Sequence, residues 1–249
     1  MPRRIALAVA TSLTLLIGVV AAPTASAARS AGARSPISFN DFTLVGGAQV
    51  IDGRLRLTAS EGWQAGGGWL TDQQTVGSGF RVAFTYQFRN PPTGADGFAF
   101  VIQDEGLSAL GGWGGYLGYG ETSPRAHDGI TRSVAVEFDT WYNPDFDDPY
   151  APHVSVHTRG IRSNSANEAA SIGMVEAPSL VDGQKHHVVI KYVEPRLRVF
   201  LDGVQILLVR VHLGTKLDLT GGSAWVGFTA GTGSATAENW ITRFAYTPR

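Results

Sequence analysis

The sequence predicts an all-β protein in which two antiparallel sheets pack against each other. Glycine and proline are abundant, with 31 and 12 of 249 residues, which is typical of a chain with many tight turns. Short apolar or alternating segments recur between these turn residues. No segment longer than about one turn carries the apolar stripe of an amphipathic helix.

The strand predictions follow the apolar pattern. Residues 49–51 and 54–57 flank an Asp-Gly pair and are predicted to form a hairpin. Residues 80–88 alternate with a period of two, as a strand with one buried face does. Residues 97–102 and 133–138 are apolar almost throughout, which predicts central strands buried on both faces. Further strands are predicted at 153–157, which alternates again, and at 187–193, 196–201, 204–209, 224–228 and 240–246.

Composition limits the function as well as the fold. With 43 % hydrophobic residues, the chain has enough apolar side chain for a core, which excludes a disordered or collagen-like protein. A net charge of −1 argues against a general nucleic-acid binder, because such proteins need a basic face. The absence of cysteine excludes disulfides, zinc–thiolate sites and thiol nucleophiles.

The first 27 residues have the three parts of a secretory signal peptide. The start is positively charged, an apolar run covers about residues 5–22, and a small-x-small cleavage site ends at Ala27. A membrane anchor is the alternative, but the apolar run is short for a span and no stop-transfer charges follow it. We therefore expect a secreted, extracellular protein without a membrane span, with a flexible leader over residues 28–35 and one domain over residues 36–249.

Long connections between the strands hold the functional residues. The connection over residues 104–132 is rich in glycine, that over 142–152 is crowded with acids and prolines, and that over 231–237 is small and polar. Loops this long in a compact β domain are usually functional.

The stretch from Glu137 to His153 predicts a metal site. Glu137 and Asp139 lie two residues apart at a strand end, so they point to the same face, where the flanking pattern places apolar core residues. Two close buried carboxylates are costly unless a cation compensates them. Further oxygens come from Asn143, Asp145, Asp147 and Asp148, and His153 supplies an imidazole. Oxygen ligands suit calcium, and three carboxylates with one histidine suit manganese, so two adjacent ions are expected.

Four motifs together resemble one family. Residues 137–153 contain the motif Glu-x-Asp-x-aromatic-x-Asn, followed by Asp-Pro and then His. This stretch is similar to the metal-binding loop of the legume-type (L-type), concanavalin A-like lectins. Residues 95–100 and 114–118 resemble the family's first two sugar-binding loops, and residues 226–233 resemble its last strand and fourth loop. The resemblance covers about residues 36–247 and implies a jelly-roll sandwich that binds carbohydrate without catalysis. An Arg-rich, Lys-poor composition and the signal peptide favour a bacterial member.

The resemblance also implies a metal-ligand set. The residues that match the family's ligands for Mn²⁺ or another divalent transition ion are Glu137, Asp139, Asp148 and His153. Those that match its Ca²⁺ ligands are Asp139, Asn143, Asp148 and the backbone carbonyl of Trp141. Asp145 and Asp147 match no ligand, so we expect them to be solvated.

The sugar-binding residues implied by the resemblance are Asp96, Gly115 and Asn143. Asp96 offers acceptors to two vicinal hydroxyls, Gly115 offers an N–H where a side chain would obstruct, and the Asn143 amide donates. Trp141 would present its aromatic face to the sugar ring. In this family a cis peptide precedes the sugar-binding Asp, so the Ala95–Asp96 bond is expected to be cis.

Sugar specificity depends in the family on the fourth loop, which is represented here by Gly233, Ser234 and Ala235. These small residues leave one wall of the site open, so a mannose or glucose type of glycan and a galactose type both remain open. A homodimer through the back sheet is a further possibility in this family.

Two sets of residues have no partner that the sequence indicates. The aromatic residues of the glycine-rich connection can be core residues or contacts to a longer glycan; they are Trp113, Tyr116 and Tyr119. The remaining histidines are expected on the surface or on strands; they are His127, His157, His186, His187 and His212.

A β-sandwich glycoside hydrolase of the glucanase type is the alternative function, because it shares the architecture and a Glu-x-Asp core. A retaining enzyme needs two free carboxylates about 5–5.5 Å apart. Its second Glu would fall at Thr140 or Trp141 here, and metal is expected to engage Glu137 and Asp139. A third alternative is a structural or adhesion sandwich in which calcium only stabilises the fold.

Overall fold

The computed structural model describes residues 36–91, 94–177 and 180–249. The predicted signal peptide over residues 1–27 and the leader over 28–35 lie outside this part of the chain. Within the described part, none of the helices has the length and apolar character needed to cross a membrane.

Fifteen strands form two antiparallel sheets in the described residues, which confirms the predicted fold class. The order across the eight-stranded sheet is β1 (Phe42–Gly46), β4 (Gln64–Leu70), β14 (Ser223–Thr232), β7 (Gly97–Gln103), β8 (Ser133–Asp139), β9 (His153–His157) and β10 (Ser171–Glu176), with β5 (Gln74–Thr75) paired to β14. The order across the seven-stranded sheet is β13 (Val204–Arg210), β12 (Arg196–Leu201), β11 (His186–Val193), β6 (Gly79–Arg89), β15 (Glu238–Pro248), β3 (Arg54–Thr58) and β2 (Gln49–Ile51). The single α-helix in these residues, α1 (Leu213–Lys216), is one turn long.

Every predicted strand is present, but four strands were missed: β1, β4, β5 and β10. In β4, Gly66, Gly67 and Gly68 disfavour a strand by propensity, so local sequence pointed away from one. Tertiary packing explains why glycine stands in this strand, because a Cβ at Gly66 would lie 2.0 Å from the Leu57 carbonyl oxygen. In β10, the register shifts between Ser171 and Met174, which interrupts the alternation that marks a strand.

The main hydrophobic core lies between the two sheets. Phe98 of β7 and Phe138 of β8 stack with ring centroids 4.7 Å apart. Phe84 of β6 approaches both rings from the opposite sheet, at 6.1 and 6.0 Å. Because side chains alternate along a strand, the neighbours of these residues point to the other face of the eight-stranded sheet.

That other face carries a second, smaller core beneath the glycine-rich connection over residues 104–132. Leu117, Tyr119 and Ile130 of this connection pack with Trp69 and with residues of β7 and β8. The Trp69 indole N–H donates to the Ala109 carbonyl, at 2.9 Å. The connection therefore explains why β7 and β8 are buried on both faces, as predicted, and it makes Tyr119 a core residue.

Glu137 and Asp139 are buried, as the flanking pattern predicts, and the core on their face of β8 is the second, smaller one. Val136 and Phe138 belong to the core between the sheets, whereas Ala135 belongs to the second core. By alternation, Glu137 and Asp139 share the face of Ala135, beneath the long connection. The two carboxylates thus lie near the loops that carry the other predicted ligands.

Candidate functional site

The register of three strands brings the predicted site residues to one end of the eight-stranded sheet. The β7–β8 ladder pairs Gly97 with Asp139, and the β8–β9 ladder pairs Asp139 with His153. Asp96 directly precedes β7. Residues about 60 positions apart in the chain therefore become neighbours across a sheet, where strands are spaced by about 4.8 Å.

Two overlapping groups of buried side chains can hold a metal ion. Each residue of the first group, Asp139, Asp148 and His153, offers a ligand atom, and these atoms lie within 4.8 Å of one another. The second group, Glu137, His153 and Glu168, meets the same condition. All four predicted transition-ion ligands are thus brought together, with His153 common to both groups.

Glu168 was missed by the sequence analysis. Its Oε1 lies 2.9 Å from His153 Nε2, and its side chain is buried. It follows His153 by fifteen residues and belongs to a single 3₁₀ turn, Glu168–Ala170. No periodicity or motif links such a residue to the metal loop, so only the tertiary structure reveals it.

His157 lies on a strand, as expected, but it has partners that the sequence did not indicate. Its Nε2 lies 2.9 Å from Glu137 Oε1 and 3.3 Å from Glu168 Oε1. All five residues of β9 are buried, rather than those of one face alone. Strand alternation could have found this residue, because positions 153, 155 and 157 share one face. His186, on β11, also has partners that no sequence pattern indicated, because its ring nitrogens lie 2.7 and 2.9 Å from two carboxylate oxygens.

The charges at the site fall into a compensated part and an uncompensated part. Burial opposes the ionisation of Glu137, yet contact with His157 and His153 holds its pKa well below the usual range. Burial disfavours charged imidazoles too, but Glu137 and Glu168 raise the pKa of His153 to about 11 and that of His157 to about 10. Glu137 and Glu168 therefore favour the protonated form of both imidazoles, and a metal ion held by His153 would take the place of its proton.

Asp139 and Asp148 form the uncompensated part. Burial, followed by the charge of Glu137, raises the pKa of Asp139 well above its usual range. Burial raises the pKa of Asp148 to about 6. Each accepts one backbone hydrogen bond of 2.7 Å, Asp139 from the Trp141 amide and Asp148 from the Asn143 amide. A cation bound here would offset the cost of ionising both groups.

Several buried oxygens at this end of the sheet have no hydrogen-bond partner. They are Asp96 Oδ2, Asn143 Oδ1 and Glu168 Oε2. Buried polar atoms are nearly always satisfied, so orphaned acceptors in one region indicate a cation or a ligand that donates hydrogen bonds. With the carboxylates and the imidazole, this donor set fits an oxygen-seeking ion and a neighbouring transition ion.

The predicted sugar-binding residues also converge. The Ala95–Asp96 peptide is cis, as expected from the resemblance. A Cβ at Gly233 would lie 3.3 Å from Asp96 Oδ2, and a Cβ at Gly115 would lie 3.1 Å from Asn143 Oδ1. Asp96 is only 5 % exposed, and burial raises its pKa to about 6 against the opposing effect of the Gly233 amide. These residues form a cradle of glycine backbone around two polar side chains.

The remaining predicted residues lie at the rim. Trp141 is 44 % exposed, so its indole is available to a ligand. In the fourth loop, Ser234 is exposed and Ala235 is half-buried. Asp145 and Asp147 are exposed, in keeping with their expected solvation.

Comparison with known proteins identifies the family. A family model described as Legume lectin domain matches residues 38–248. Lectin-4 of Griffonia simplicifolia is 34 % identical over 137 residues, which are 49 % of this chain and 56 % of that protein. The matched stretch spans about half the length of this relative and of a similar lectin from Bauhinia forficata.

Solved structures share the fold. The lectin from Bauhinia forficata in complex with GalNAc aligns with a TM-score of 0.68 and 24 % identity, over 86 % of this chain and 99 % of that chain. The Ca²⁺/Man-bound exoplasmic/lumenal domain of VIP36 aligns with a TM-score of 0.66 and 16 % identity, over 84 % of this chain and 83 % of that chain. The family model covers most of the chain, so the protein belongs to the legume lectin domain family, which confirms the resemblance drawn from the four motifs.

Proposed function

We propose that the protein is a secreted lectin that binds glycans without converting them, through a shallow site organised by Ca²⁺ and a transition ion such as Mn²⁺. The observation that carries the proposal is the convergence of Asp96, Gly115, Asn143 and Gly233 around buried acceptor oxygens without protein donors. Its similarity to lectins, and to solved structures that hold GalNAc and mannose, supports this proposal.

Asp139, Asn143 and Asp148, with the Trp141 carbonyl, would hold Ca²⁺. Glu137, Asp139, Asp148 and His153 would hold the transition ion, and Glu168 is a further candidate ligand. When bound, the ions would supply positive charge that permits the buried carboxylates to ionise together. The connection between β8 and β9 would then be fixed, which preorganises the residues that meet the sugar.

The protein's own groups would recognise the sugar by hydrogen bonding and by apolar contact. The Asp96 carboxylate would accept hydrogen bonds from two vicinal hydroxyls, and the Gly115 N–H and the Asn143 amide would donate to others. Trp141 would contact an apolar C–H face of the ring. The type of sugar, mannose or glucose against galactose, remains a prediction with both alternatives open.

The hydrolase alternative finds little support at the position of its second carboxylate. The Thr140 hydroxyl donates to the carbonyls of Gly94 and Asp96, at 3.0 and 2.9 Å, so this side chain binds the backbone on either side of the cis peptide. Trp141 follows it at the surface. A sugar-release assay on mixed polysaccharides tests the alternative, since release that is abolished by Glu137→Gln would refute the non-catalytic proposal.

A glycan array probed with and without Ca²⁺ and Mn²⁺ tests the proposed function. We expect binding that requires metal and that is lost in Asp96→Ala while circular dichroism and the melting profile show a folded protein. Metal-independent binding would contradict the metal site. A folded, metal-loaded protein that binds no glycan would favour a structural sandwich.

Secretion and pairing are also proposals. Export with cleavage after Ala27 predicts a mature N-terminus at Ala28, which N-terminal sequencing of the culture medium tests. A homodimer through the outer face of the seven-stranded sheet predicts twice the monomer mass in analytical ultracentrifugation. Single sugar sites bind weakly, so such pairing would raise avidity by multivalency.

A further inference from the structure

We propose that Trp63 and Trp113 form an aromatic subsite that binds the second sugar unit of an oligosaccharide whose first unit occupies the site at Asp96. The inference rests on the proposed function and narrows its substrate class, from sugars in general to oligosaccharides of two or more units. We call these two residues the indole pair.

The indole pair is exposed and has a defined geometry. Trp63 is 61 % exposed and Trp113 is 44 % exposed. Their ring centroids are 4.7 Å apart and their planes are perpendicular. An aromatic side chain usually buries 150–250 Å² in a core or an interface, so two adjacent exposed indoles leave a large contact area unused. Their perpendicular arrangement forms a corner rather than a flat stack.

The indole pair is continuous with the sugar site through glycine backbone. The Trp63 amide donates to the Gly233 carbonyl, at 3.2 Å. Gly114, which follows Trp113, lies against the same loop, because a Cβ there would be 3.7 Å from Gly233 Cα and 3.8 Å from Asp96 Oδ2. Both indoles are therefore attached to the backbone that surrounds the Asp96 carboxylate. The small residues of the fourth loop leave room on this side of the site, and Trp63 enters from the β3–β4 connection.

Local structure holds both indoles in place. Trp63 has a φ of +60°, a left-handed conformation that is uncommon for a bulky residue and that clusters at binding sites. The Thr232 hydroxyl fixes this turn by accepting from the Gln64 amide at 3.1 Å and donating to the Glu61 carbonyl at 2.7 Å. Trp113 packs edge-to-face with Tyr116, at 6.3 Å. A preorganised aromatic surface loses little entropy when it binds a ligand.

The chemistry around the indole pair fits a sugar. A pyranose ring has apolar C–H faces and a rim of hydroxyls. The indoles offer an apolar surface to such a face, and the adjacent carboxylate and glycine backbone offer hydrogen-bonding groups to the hydroxyls. A ligand that spans Asp96 and the indole pair must be longer than one sugar ring, because Asp96 engages the hydroxyls of the first unit.

Isothermal titration of the metal-loaded full chain tests the inference with paired probes. The pairs are mannose with trimannosyl-N-acetylglucosamine and galactose with lactose. In wild type, we expect the oligosaccharide of the recognised sugar to bind more tightly than its monosaccharide. In Trp63→Ala and in Trp113→Ala, the ratio of the two affinities is expected to fall about tenfold, as for the loss of an aromatic anchor. Trp63→Phe should restore part of the ratio.

Ile161→Ala is the matched control, because Ile161 is a 60 % exposed apolar residue in the connection between β9 and β10. It should leave the ratio unchanged, and Asp96→Asn should abolish binding of all probes. An unchanged ratio in folded Trp63→Ala and Trp113→Ala overturns the subsite and leaves the proposed function intact. An equal loss for both probe classes overturns it too, because the indoles would then serve the first unit. If wild type binds none of the probes, the proposed function and this inference fail together.

Discussion

Replacing Asp96 by Asn should abolish sugar binding and, at neutral pH, make the metal-free protein more stable. The side chain keeps its size, but the carboxylate that accepts hydrogen bonds from hydroxyls becomes a neutral amide. Asp96 is 5 % exposed, and its Oδ2 is buried without a hydrogen-bond partner. The folded state therefore holds a poorly solvated charge, which the substitution removes.

The magnitude follows from the pKa of Asp96, which burial raises from 3.8 to about 6. The difference corresponds to ~3 kcal/mol, since each pKa unit is worth about 1.36 kcal/mol. The sign follows from proton binding. Between the two pKa values the folded state keeps a proton that the unfolded state has released, so stability falls as pH rises. The buried Asp96 charge does not destabilise the folded state below pH 3.8, and its destabilising effect is complete above about pH 6. Asp96→Asn removes this effect.

Urea unfolding in the presence of EDTA, followed by tryptophan fluorescence, measures the effect. The unfolding free energy of Asp96→Asn should exceed that of wild type by ~3 kcal/mol at pH 7.5, and the gap should nearly close at pH 4. Comparing the two proteins at each pH cancels the titration of the other buried groups. Asp145→Asn, a substitution of an exposed carboxylate in the β8–β9 connection, should show no gap. Equal stability of Asp96→Asn and wild type at pH 7.5, or a gap that does not depend on pH, would contradict a buried and poorly solvated Asp96 carboxylate.

Three further predictions concern the cradle and the metal ions. Gly115→Ala should weaken sugar binding on the order of tenfold, because its methyl group would lie 3.1 Å from Asn143 Oδ1. Gly214→Ala is the control, because a methyl group there would have no neighbour within 4 Å. Equal affinities of Gly115→Ala and wild type in a titration with the recognised sugar would contradict the prediction. Glu168→Gln should weaken Mn²⁺ binding about tenfold, as measured by electron paramagnetic resonance, with Glu194→Gln as the control. An unchanged Mn²⁺ affinity would mean that Glu168 is only the hydrogen-bond partner of His153. Chelation should abolish glycan binding and lower the melting temperature, since an ion at 1,000 times its Kd stabilises the folded state by about 4 kcal/mol; if thorough dialysis against EDTA changes neither, the metal proposal fails.

The strand pattern and the metal motif could both be predicted from local sequence. In β6, alternation marks one buried face, and in β7 and β8 continuous apolar runs mark two, because side-chain direction has a period of two along a strand. Glu137, Asp139 and His153 lie close in the chain, so their spacing alone indicated a shared site. The prediction failed for β4, whose glycines are explained by close contact with the neighbouring Leu57 backbone rather than by strand propensity.

The functional site likewise combines residues that short motifs indicate with residues that only long-range contacts bring to it. The fold class and the family follow from the amino-acid sequence, because these depend on periodicity and on motifs a few residues long. Three features became visible only in the folded chain: Glu137 and Asp139 face the second core, Glu168 and His157 join them, and Trp63 lies beside Gly233. Sheet register and loop packing bring together residues far apart in the chain, and neither depends on a pattern that a short stretch of sequence displays.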